Sequence, residues 1–412
     1  HAMTEIATPR WPGIAHTPRT PAKARIAKAI LKPTINRVPV RLTMANGTRW
    51  GAGDDSSPEM RIVRPRAFFA RLGADTKIGF GEAYMAGDWA TGDGTDLADL
   101  LTPFAERMAT IVPVPLQKFR VFVDKKLPHH ERNSVKGSRK NIEAHYDLSN
   151  EMFAQFLDPS MNYSSAWFEG NETLEEAQMR KIDAILDDAH VGNGTRVLEI
   201  GSGWGSLAIR AAQRGAKVTT ITISTEQAAL AKERFVEAGV DVDLQLIDYR
   251  EITGEYDAIV SVEMIEAVGE EFWPTYFQTI DKLLAPGGHV AIQAITMDHH
   301  RYLATRNSYG WIQKYIFPGG LIPSLTAIDQ VLAGHTTLQV TNQRPLGSHY
   351  ARTLRQWRDN FNANWSTINT QGFDETFRRM WEFYLAYCEA GFKTGYINVH
   401  QIAMSRPHGS EA

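Results

Sequence analysis

The sequence predicts an α/β protein in which a doubly wound, Rossmann-like sheet follows a smaller N-terminal α+β domain. Three observations predict this fold class. Between residues 195 and 296, strand-like and helix-like runs alternate, as in a parallel sheet with helices on both faces. The first of those strands runs into a turn with the sequence GSGWG, residues 201–205. From residue 37 to about residue 106, short β-like runs are separated by NG, GAGDD and GDG and end in one helical stretch.

The N-terminal part of the chain is basic. Residues 1–36 are rich in proline, threonine and basic groups, and we expect a flexible segment there. Within it, AKARIAKAILK at 22–32 interleaves apolar and basic residues at roughly helical spacing, as in a helix that lies on lipid headgroups. The pattern lacks the aromatic residues that single-stranded nucleic acid favours. An anionic membrane surface is therefore the predicted partner and nucleic acid is not, although a solvated tail would have the same composition.

A second basic stretch, at 118–140, holds eight basic residues and two acids. We expect it to be a linker. The chain then divides into a basic segment, a small domain, a basic linker and a larger α/β domain with an acyl-chain pocket, at 1–36, 37–117, 118–140 and 141–412.

Composition excludes several classes of protein. The single cysteine, Cys388, excludes a disulfide framework and a zinc cluster, and no metal site is expected. The sequence shows neither an apolar run of about 18 residues, as a membrane-spanning helix needs, nor a signal-peptide pattern. A cytoplasmic location is expected.

The glycine turn lets the backbone lie against a ligand at a helix N-terminus. A dinucleotide site would have G-x-G-x-x-G and an acid about twenty residues further on, whereas here the spacing is G-x-G-x-G and the next strand ends in TITIS. A pyrophosphate ligand is therefore not favoured. The stretch EIGSGWG, with Glu199 before Gly201 and Gly203, resembles the first motif of S-adenosylmethionine (SAM) methyltransferases. The resemblance implies that these residues bind SAM and that Asp248, in LIDYRE, hydrogen-bonds its adenine amino group.

Further stretches resemble the cyclopropane-fatty-acid synthase family, and they occur in the family's order. They are AHYDLSNEMFAQFLDPSMNYSSAWFEGNETLEEAQMRKID, SVEMIEAVGEEFW, YIFPGGLIPSL, SHYARTLRQWRDNF and FRRMWEFYLAYCEAGFKTGYINVHQIAMSRP. The match covers nearly all of residues 140–407. GFGEAYMAGDW at 79–89 extends it into the small domain, as in the longer members that act on membrane phospholipids. The pattern is most similar to actinobacterial members that form 10-methylene or 10-methyl fatty acids.

The resemblance implies a class I SAM methyltransferase domain and the transfer of a methyl group from SAM to the cis double bond of an unsaturated phospholipid acyl chain. The resulting carbocation then loses a proton. In the family a bound bicarbonate accepts that proton, and the residues that match its binding set are Ser165, Glu266, Gln293, Ile295 and Tyr350. Ser165 replaces a cysteine and Gln293 a histidine. Both can donate hydrogen bonds to an anion, but glutamine cannot accept a proton as imidazole does, which leaves open whether bicarbonate is bound.

The family's remaining cofactor contacts also have matches in this chain. They are Tyr163 and Ser164 for the methionine part, Thr222 and Gln227 for the ribose side, and Tyr249 for adenine. Glu263 lies close before Glu266. Its side chain faces either the SAM methyl group or the edge of the core, and the sequence does not decide between them.

Two products of the same methyl transfer are compatible with the sequence. Direct loss of a methyl proton closes a cyclopropane ring, whereas a hydride shift before that loss gives an exocyclic methylene group, which a reductase partner could convert to a methyl branch. We favour the 10-methylene product.

Two further functions are compatible with the same residues. One is a methyltransferase that acts on carrier-bound or soluble acyl substrates, and the second is a non-catalytic lipid-binding protein. The resemblance further implies peripheral association with the inner face of the membrane and allows a homodimer.

Overall fold

The computed structural model describes residues 6–7, 10–107 and 148–408. Their contacts form two compact units. Among the described residues, the first comprises residues 6–7 and 10–107, Asn307–Ile316 and Phe361–Tyr396, and the second comprises residues 148–306, Phe317–Asn360 and residues 397–408. The contiguous domain boundaries expected from the sequence stay a prediction, and the basic linker at 118–140 lies outside the described residues.

The elements before residue 107 belong to the first unit. They are α1 (Pro12–Ala15), α2 (Pro21–Ile35), β1 (Arg41–Met44), β2 (Arg49–Trp50), β3 (Glu59–Ile62), α3 (Pro65–Ala74), α4 (Thr76–Ala86), β4 (Trp89–Thr91) and α5 (Leu97–Glu106). The four strands form a sheet in the order β2-β1-β3-β4. Strand β1 is antiparallel to β2 and parallel to β3, and β4 is antiparallel to β3.

Residues 10–36 are largely helical, where a flexible segment was expected. The helical spacing at 22–32 agrees with α2, and the side chains of Ile14 and Ile35 are buried. The buried guanidinium of Arg71 donates to the backbone oxygens of Gly13 at 3.1 Å and Ile14 at 2.7 Å. These tertiary contacts hold the segment in place, whereas its composition alone does not predict an ordered structure.

The elements after residue 148 follow the predicted alternation. They are α6 (Asn150–Phe156), α7 (Leu174–Asp188), β5 (Arg196–Ile200), α8 (Ser206–Gln213), β6 (Lys217–Thr222), α9 (Thr225–Ala238), β7 (Val242–Leu246), β8 (Tyr256–Val262), α10 (Ile265–Val268), a 3-10 turn (Glu270–Phe272), α11 (Trp273–Leu283), β9 (Leu284–Met297), α12 (His299–Thr305), α13 (Trp311–Tyr315), α14 (Leu325–His335), β10 (Gln339–Pro345), α15 (Gly347–Ala363), α16 (Trp365–Thr370), α17 (Glu375–Lys393) and β11 (Ile397–Ser405). Of these, α13, α16 and α17 belong to the first unit.

The second unit contains a seven-stranded sheet in the order β10-β11-β9-β8-β5-β6-β7. Strands β5 to β9 pair in parallel, whereas β11 is antiparallel to β9 and β10 to β11. Successive strand residues point to opposite faces, so Val197 packs in one hydrophobic cluster and Leu198 in the other. Helices α7, α8 and α9 cover the first face, and α11 and α14 cover the second. The predicted doubly wound sheet is confirmed.

The site residues lie at one edge of this sheet. Strand β5 pairs with β6 on one side and β8 on the other, so the chain direction around the sheet switches at β5. In such folds, ligands bind beyond the carboxyl ends of the strands at the switch point. Within the described ranges, no helix is both long and apolar enough to cross a bilayer.

Candidate active site

The glycine turn connects the end of β5 to the start of α8. Gly201, Gly203 and Gly205 have φ angles of 94°, 54° and 97°, a left-handed region that favours glycine. A Cβ at Gly205 would lie 2.7 Å from the ring of Phe235, whereas a Cβ at Gly203 would meet no atom within 4 Å. Gly203 therefore borders open space at the carboxyl end of β5, as a backbone cradle for a ligand requires.

Glu199 lies below this turn and is buried. Thr220 donates a hydrogen bond to its Oε1 at 2.6 Å, and the hydroxyls of Thr220 and Ser202 are 2.7 Å apart. Burial raises the pKa of Glu199 to about 8, although Thr220 and the charge of Lys181 act in the opposite direction. The predicted acid before the glycines is thus fastened to the next strand.

The loop after β6 holds Thr222 and Gln227 together. The Thr222 hydroxyl donates to Gln227 Oε1 at 3.2 Å and accepts from the Ser224 backbone N–H at 3.1 Å. Ser224 caps α9 by accepting from the Gln227 backbone N–H at 3.2 Å. The two predicted ribose-side residues therefore form one fixed unit at the end of their strand.

The loop after β7 carries Asp248 and Tyr249. Both carboxylate oxygens of Asp248 accept from the guanidinium of Arg250, at 2.8 and 2.9 Å, so the predicted adenine ligand already has a partner within its own loop. The Tyr249 hydroxyl is buried and has no hydrogen-bond partner among the described residues. Burial raises its pKa to about 12. An unpartnered buried hydroxyl beside Asp248 fits a loop that completes its hydrogen bonds with a polar ligand.

Tyr163 and Ser164 lie on the segment between α6 and α7. The ring of Tyr163 packs against Phe153, Phe156 and Trp357, with centroid distances of 5.3 to 6.2 Å. Ser164 is buried, and its hydroxyl accepts a hydrogen bond from the side chain of Lys181. Both residues are fixed in place by neighbours of the second unit.

Three members of the predicted anion set converge on one group, which is the carboxylate of Glu263. Its Oε2 accepts from the Ser165 backbone N–H at 2.8 Å and from Gln293 Nε2 at 2.7 Å. Its Oε1 accepts from the hydroxyl of Tyr350. A carboxylate of the chain itself therefore accepts hydrogen bonds from three residues that the resemblance assigns to anion binding. The contacts place Glu263 among polar donors, and whether it also faces the SAM methyl group stays a prediction.

The backbone at Glu263 places the carboxylate there. Glu263 follows β8 directly and has a φ of 51°, which is unusual for a residue with a side chain. Its N–H donates to the backbone oxygen of Gln293 at 2.6 Å, so β9 holds the turn. Strained backbone of this kind persists where the surrounding structure fixes it, and it often occurs at active sites.

The donors differ in one respect from the sequence expectation. Ser165 was expected to donate through its hydroxyl, but that hydroxyl donates to the Ala166 backbone oxygen at 2.9 Å and the Ser165 N–H contacts the carboxylate instead. Gln293 also donates to the Ser165 oxygen at 3.3 Å. The amide of Gln293 therefore ties the two sides of the site together.

The remaining two members, Glu266 and Ile295, pair with each other. The Ile295 backbone N–H donates to Glu266 Oε1, and Glu266 Oε2 is buried without a hydrogen-bond partner among the described residues. Burial, together with the nearby charge of Glu263, raises the pKa of Glu266 to about 8. Burial also raises the pKa of Glu263, but Lys181, Tyr350, Ser165 and Gln293 lower it. Of the two carboxyls, Glu263 therefore has the surroundings that favour the charged form more strongly.

The sequence reasoning missed Lys181 and Gln178, which lie on the inward face of α7, and Gln401 on β11. All three are buried polar residues. The sequence contains a signal for the two residues on α7. Apart from Gln178 and Lys181, the inward face of this helix is apolar at helical spacing; its positions are 174, 177, 178, 181, 182, 185 and 186. A lysine on that face is a departure from the pattern.

Comparisons with known proteins show the family of the chain. Residues 133–402 match the family described as mycolic acid cyclopropane synthetase. The chain is 47% identical over 414 residues to tuberculostearic acid methyltransferase UfaA1 of Mycobacterium tuberculosis, covering 97% of this chain and 96% of that protein. It is 34% identical to the cyclopropane-fatty-acyl-phospholipid synthase of Escherichia coli K12, covering 84% of this chain and 88% of that protein.

A solved structure shares the fold. Mycolic acid cyclopropane synthase CmaA1, in a complex with SAH and CTAB, superposes with a TM-score of 0.59 at 30% identity, covering 68% of this chain and 98% of that chain. SAH is the product that SAM leaves after methyl transfer, so the comparison supports SAM as the cofactor here. The chain belongs to the mycolic acid cyclopropane synthetase family and is a SAM-dependent methyltransferase of the class I fold.

Proposed function

We propose that this enzyme methylates the cis double bond of an unsaturated acyl chain in a membrane phospholipid and forms a 10-methylene chain, with Glu263 as the built-in base. The observation that carries the proposal is the position of the Glu263 carboxylate among Ser165, Gln293 and Tyr350. The names of two relatives, a tuberculostearic acid methyltransferase and a cyclopropane-fatty-acyl-phospholipid synthase, support the substrate class.

The residues that would hold SAM are those at the carboxyl ends of β5, β6 and β7 and on the segment before α7. They are Glu199, Gly201, Gly203, Thr222, Gln227, Asp248, Tyr249, Tyr163 and Ser164. The open space at Gly203 and the unpartnered hydroxyl of Tyr249 fit such a ligand. When bound, SAM supplies an electrophilic methyl group to the alkene, whose π electrons form the new C–C bond and leave a carbocation on the acyl chain.

Glu263 then accepts the proton. Three donors orient its carboxylate, and its buried position makes it a stronger base than an exposed glutamate because burial raises its pKa. A 1,2-hydride shift moves the positive charge to the methylated carbon. Loss of a methyl proton to the Glu263 carboxylate leaves its electron pair as the exocyclic C=C bond. Glu266 is the weaker candidate for the base, because burial and the charge of Glu263 raise its pKa to about 8 and favour its protonated form.

Access to a phospholipid substrate requires contact with a bilayer. Helix α2 exposes Lys23, Arg25, Lys28 and Lys32 together with Ile26, which is 59% exposed. Basic groups beside an exposed apolar side chain suit an anionic headgroup surface. We therefore propose that the enzyme binds peripherally to the inner face of the membrane. A separate reductase would convert its methylene product to a methyl branch.

The test is to incubate the enzyme with SAM and oleoyl-phospholipid vesicles and to analyse the released acyl chains by proton NMR. Vinylidene protons are the expected result. High-field cyclopropane protons would overturn the product assignment, because both products add one CH2 and only NMR separates them. Methylation of free or carrier-bound oleate without vesicles would overturn the assignment of a phospholipid substrate. If none of these acyl substrates gains a carbon, the proposal that the enzyme methylates acyl chains is overturned.

A further inference from the structure

A buried lysine lies behind the site. Lys181 is 1% exposed, and its Nζ donates to the hydroxyl of Ser164 at 2.5 Å. It lies on the face of α7 that otherwise packs Ile182, Ile185 and Leu186 into the core. Lysine is almost never fully buried unless its charge is paired. Its position therefore calls for a specific electrostatic partner.

The acids around Lys181 come from three different elements. Glu263 follows β8, Asp158 lies in the loop after α6, and Glu199 lies on β5. All three favour the charged form of Lys181, with Glu263 the strongest, whereas burial lowers its pKa to about 8. Lys181 in turn counteracts the effect of burial on Glu263. Within the described part of the chain, this cluster thus joins one cation to three acids, and Glu266 is a further acid that interacts with Glu263.

Lys181 is also linked to both sides of the hydrogen-bond set that holds Glu263. On one side, Lys181 Nζ and Gln178 Nε2 fix the hydroxyl and the backbone oxygen of Ser164, the latter at 2.9 Å. The next residue, Ser165, donates its N–H to Glu263.

On the other side, Gln401 links Lys181 to Gln293. Gln401 Nε2 donates to the Lys181 backbone oxygen at 3.1 Å and to Gln293 Oε1 at 3.2 Å. Gln401 and Gln293 are register partners on β11 and β9, and Gln293 donates to Glu263. Helix α7 is therefore linked to Glu263 by two routes of hydrogen bonds. One runs through Ser164 and Ser165, and the other runs through Gln401 and Gln293.

We propose that Lys181 is a positioning residue for the reaction, which fixes Ser164 and supplies the positive charge that balances the Glu263 carboxylate. The inference rests on the proposed role of Glu263 as the base. Without the lysine charge, Glu263 would hold its proton to higher pH and would be unable to accept one from the acyl cation.

The test compares pH profiles of kcat for the wild type, Lys181→Met and Gln178→Leu. Lys181→Met removes the charge and keeps an unbranched apolar side chain, whereas Gln178→Leu removes the neighbouring hydrogen bond to Ser164 without changing charge. We expect the acidic limb of the kcat profile to move to higher pH by roughly one pH unit or more in Lys181→Met. In Gln178→Leu the acidic limb should stay at its wild-type pH. Lys181→Arg, which keeps the charge, should return the limb toward its wild-type position.

The outcomes separate the two proposals. A uniform loss of activity in Lys181→Met with an unmoved acidic limb would overturn the electrostatic role. If Lys181→Met does not fold, Lys181→Arg and Lys181→Gln are compared instead, and equal acidic limbs in these two variants would also overturn it. Full activity of Glu263→Gln would instead refute the role of Glu263 as the base.

Discussion

The hydroxyl of Tyr350 donates a hydrogen bond to the carboxylate of Glu263, and this contact joins helix α15 to the turn after β8. The phenol was expected to donate to a bound anion. In the structure it donates to an acid of the chain itself, whereas the sequence left open whether an anion is bound.

Replacing the base should abolish turnover. Glu263→Gln keeps the size of the side chain but cannot accept a proton from the acyl cation. We expect kcat to fall by roughly 100-fold or more, the range typical of general bases. SAM affinity, measured by calorimetry, should stay close to that of the wild type, because Glu263 is not among the proposed cofactor ligands. A parallel loss of SAM binding and of activity would contradict this assignment.

Removing the phenolic donor should make Glu263 harder to ionise. The hydrogen bond from Tyr350 lowers the pKa of Glu263, so Tyr350→Phe should raise that pKa. Because the ionised carboxylate is the active form, the acidic limb of the kcat profile should move to higher pH and activity above the limb should be largely kept. A lower kcat at every pH with an unmoved limb would show that Tyr350 acts on another step.

The glycine turn can be tested with a matched pair of variants. Gly203 and Gly239 both have left-handed φ angles, 54° and 66°, and a Cβ at either meets no atom within 4 Å. Each alanine variant should therefore lose a similar free energy of unfolding, roughly 1–2 kcal/mol. Only Gly203→Ala should weaken SAM binding, because only Gly203 borders the proposed cofactor site. Equal SAM affinities in the two variants would remove Gly203 from that site.

Glu266 should limit stability at neutral and higher pH. Its folded-state pKa, about 8, lies above the ordinary value of 4.5, so the folded protein holds a proton that the unfolded chain releases between these two values. Its contribution to folding is therefore most favourable below pH 4.5 and is lost as the pH rises toward 8. Glu266→Gln should raise the free energy of unfolding at pH 8 by on the order of 1–3 kcal/mol.

Chemical denaturation at pH 5 and pH 8 checks this prediction. The gain of Glu266→Gln over the wild type should be larger at pH 8. The control is Glu237→Gln, since Glu237 is exposed and its substitution should change the free energy of unfolding by no more than about 0.5 kcal/mol. A pH-independent effect of Glu266→Gln would show that its carboxyl titrates normally in the folded state.

Helix α2 should contribute to membrane binding. Lys and Arg near an anionic bilayer each contribute about 1 kcal/mol at physiological ionic strength. A variant with four glutamines should therefore bind anionic vesicles at least about tenfold more weakly in a sedimentation assay at low salt; the changed residues are Lys23, Arg25, Lys28 and Lys32. Binding to neutral phosphatidylcholine vesicles should change little. Unchanged sedimentation with anionic vesicles would count against docking through α2.

The sheet and much of the site could be predicted from the sequence. Apolar runs that alternate with helical runs have few ways to bury their apolar faces, and this specified the doubly wound sheet. Glycines between a strand and a helix located the turn at β5. Ser165, Gln293 and Tyr350, which are far apart in the sequence, do meet in the structure around one carboxylate.

Other features depend on contacts that a linear pattern does not contain. The side-chain direction of Glu263 follows from its left-handed backbone, which a strand pattern does not reveal. Lys181 is buried and interacts electrostatically with three acids from distant elements, whereas a lysine on a helix is usually exposed. The helices at residues 12–35 are ordered by partners such as Arg71, which composition cannot show.

If Glu263 supplies the base, the enzyme needs no bound bicarbonate. The most direct measurement is methylation of oleoyl-phospholipid vesicles in buffer freed of carbon dioxide, with and without added bicarbonate, for the wild type and for Glu263→Gly. Glycine suits the φ of 51° and leaves space where the carboxylate was. We expect equal wild-type rates in both buffers and a Glu263→Gly variant that is inactive until bicarbonate is added. A wild-type rate that collapses without bicarbonate and recovers on its addition would contradict the role of Glu263 as the base.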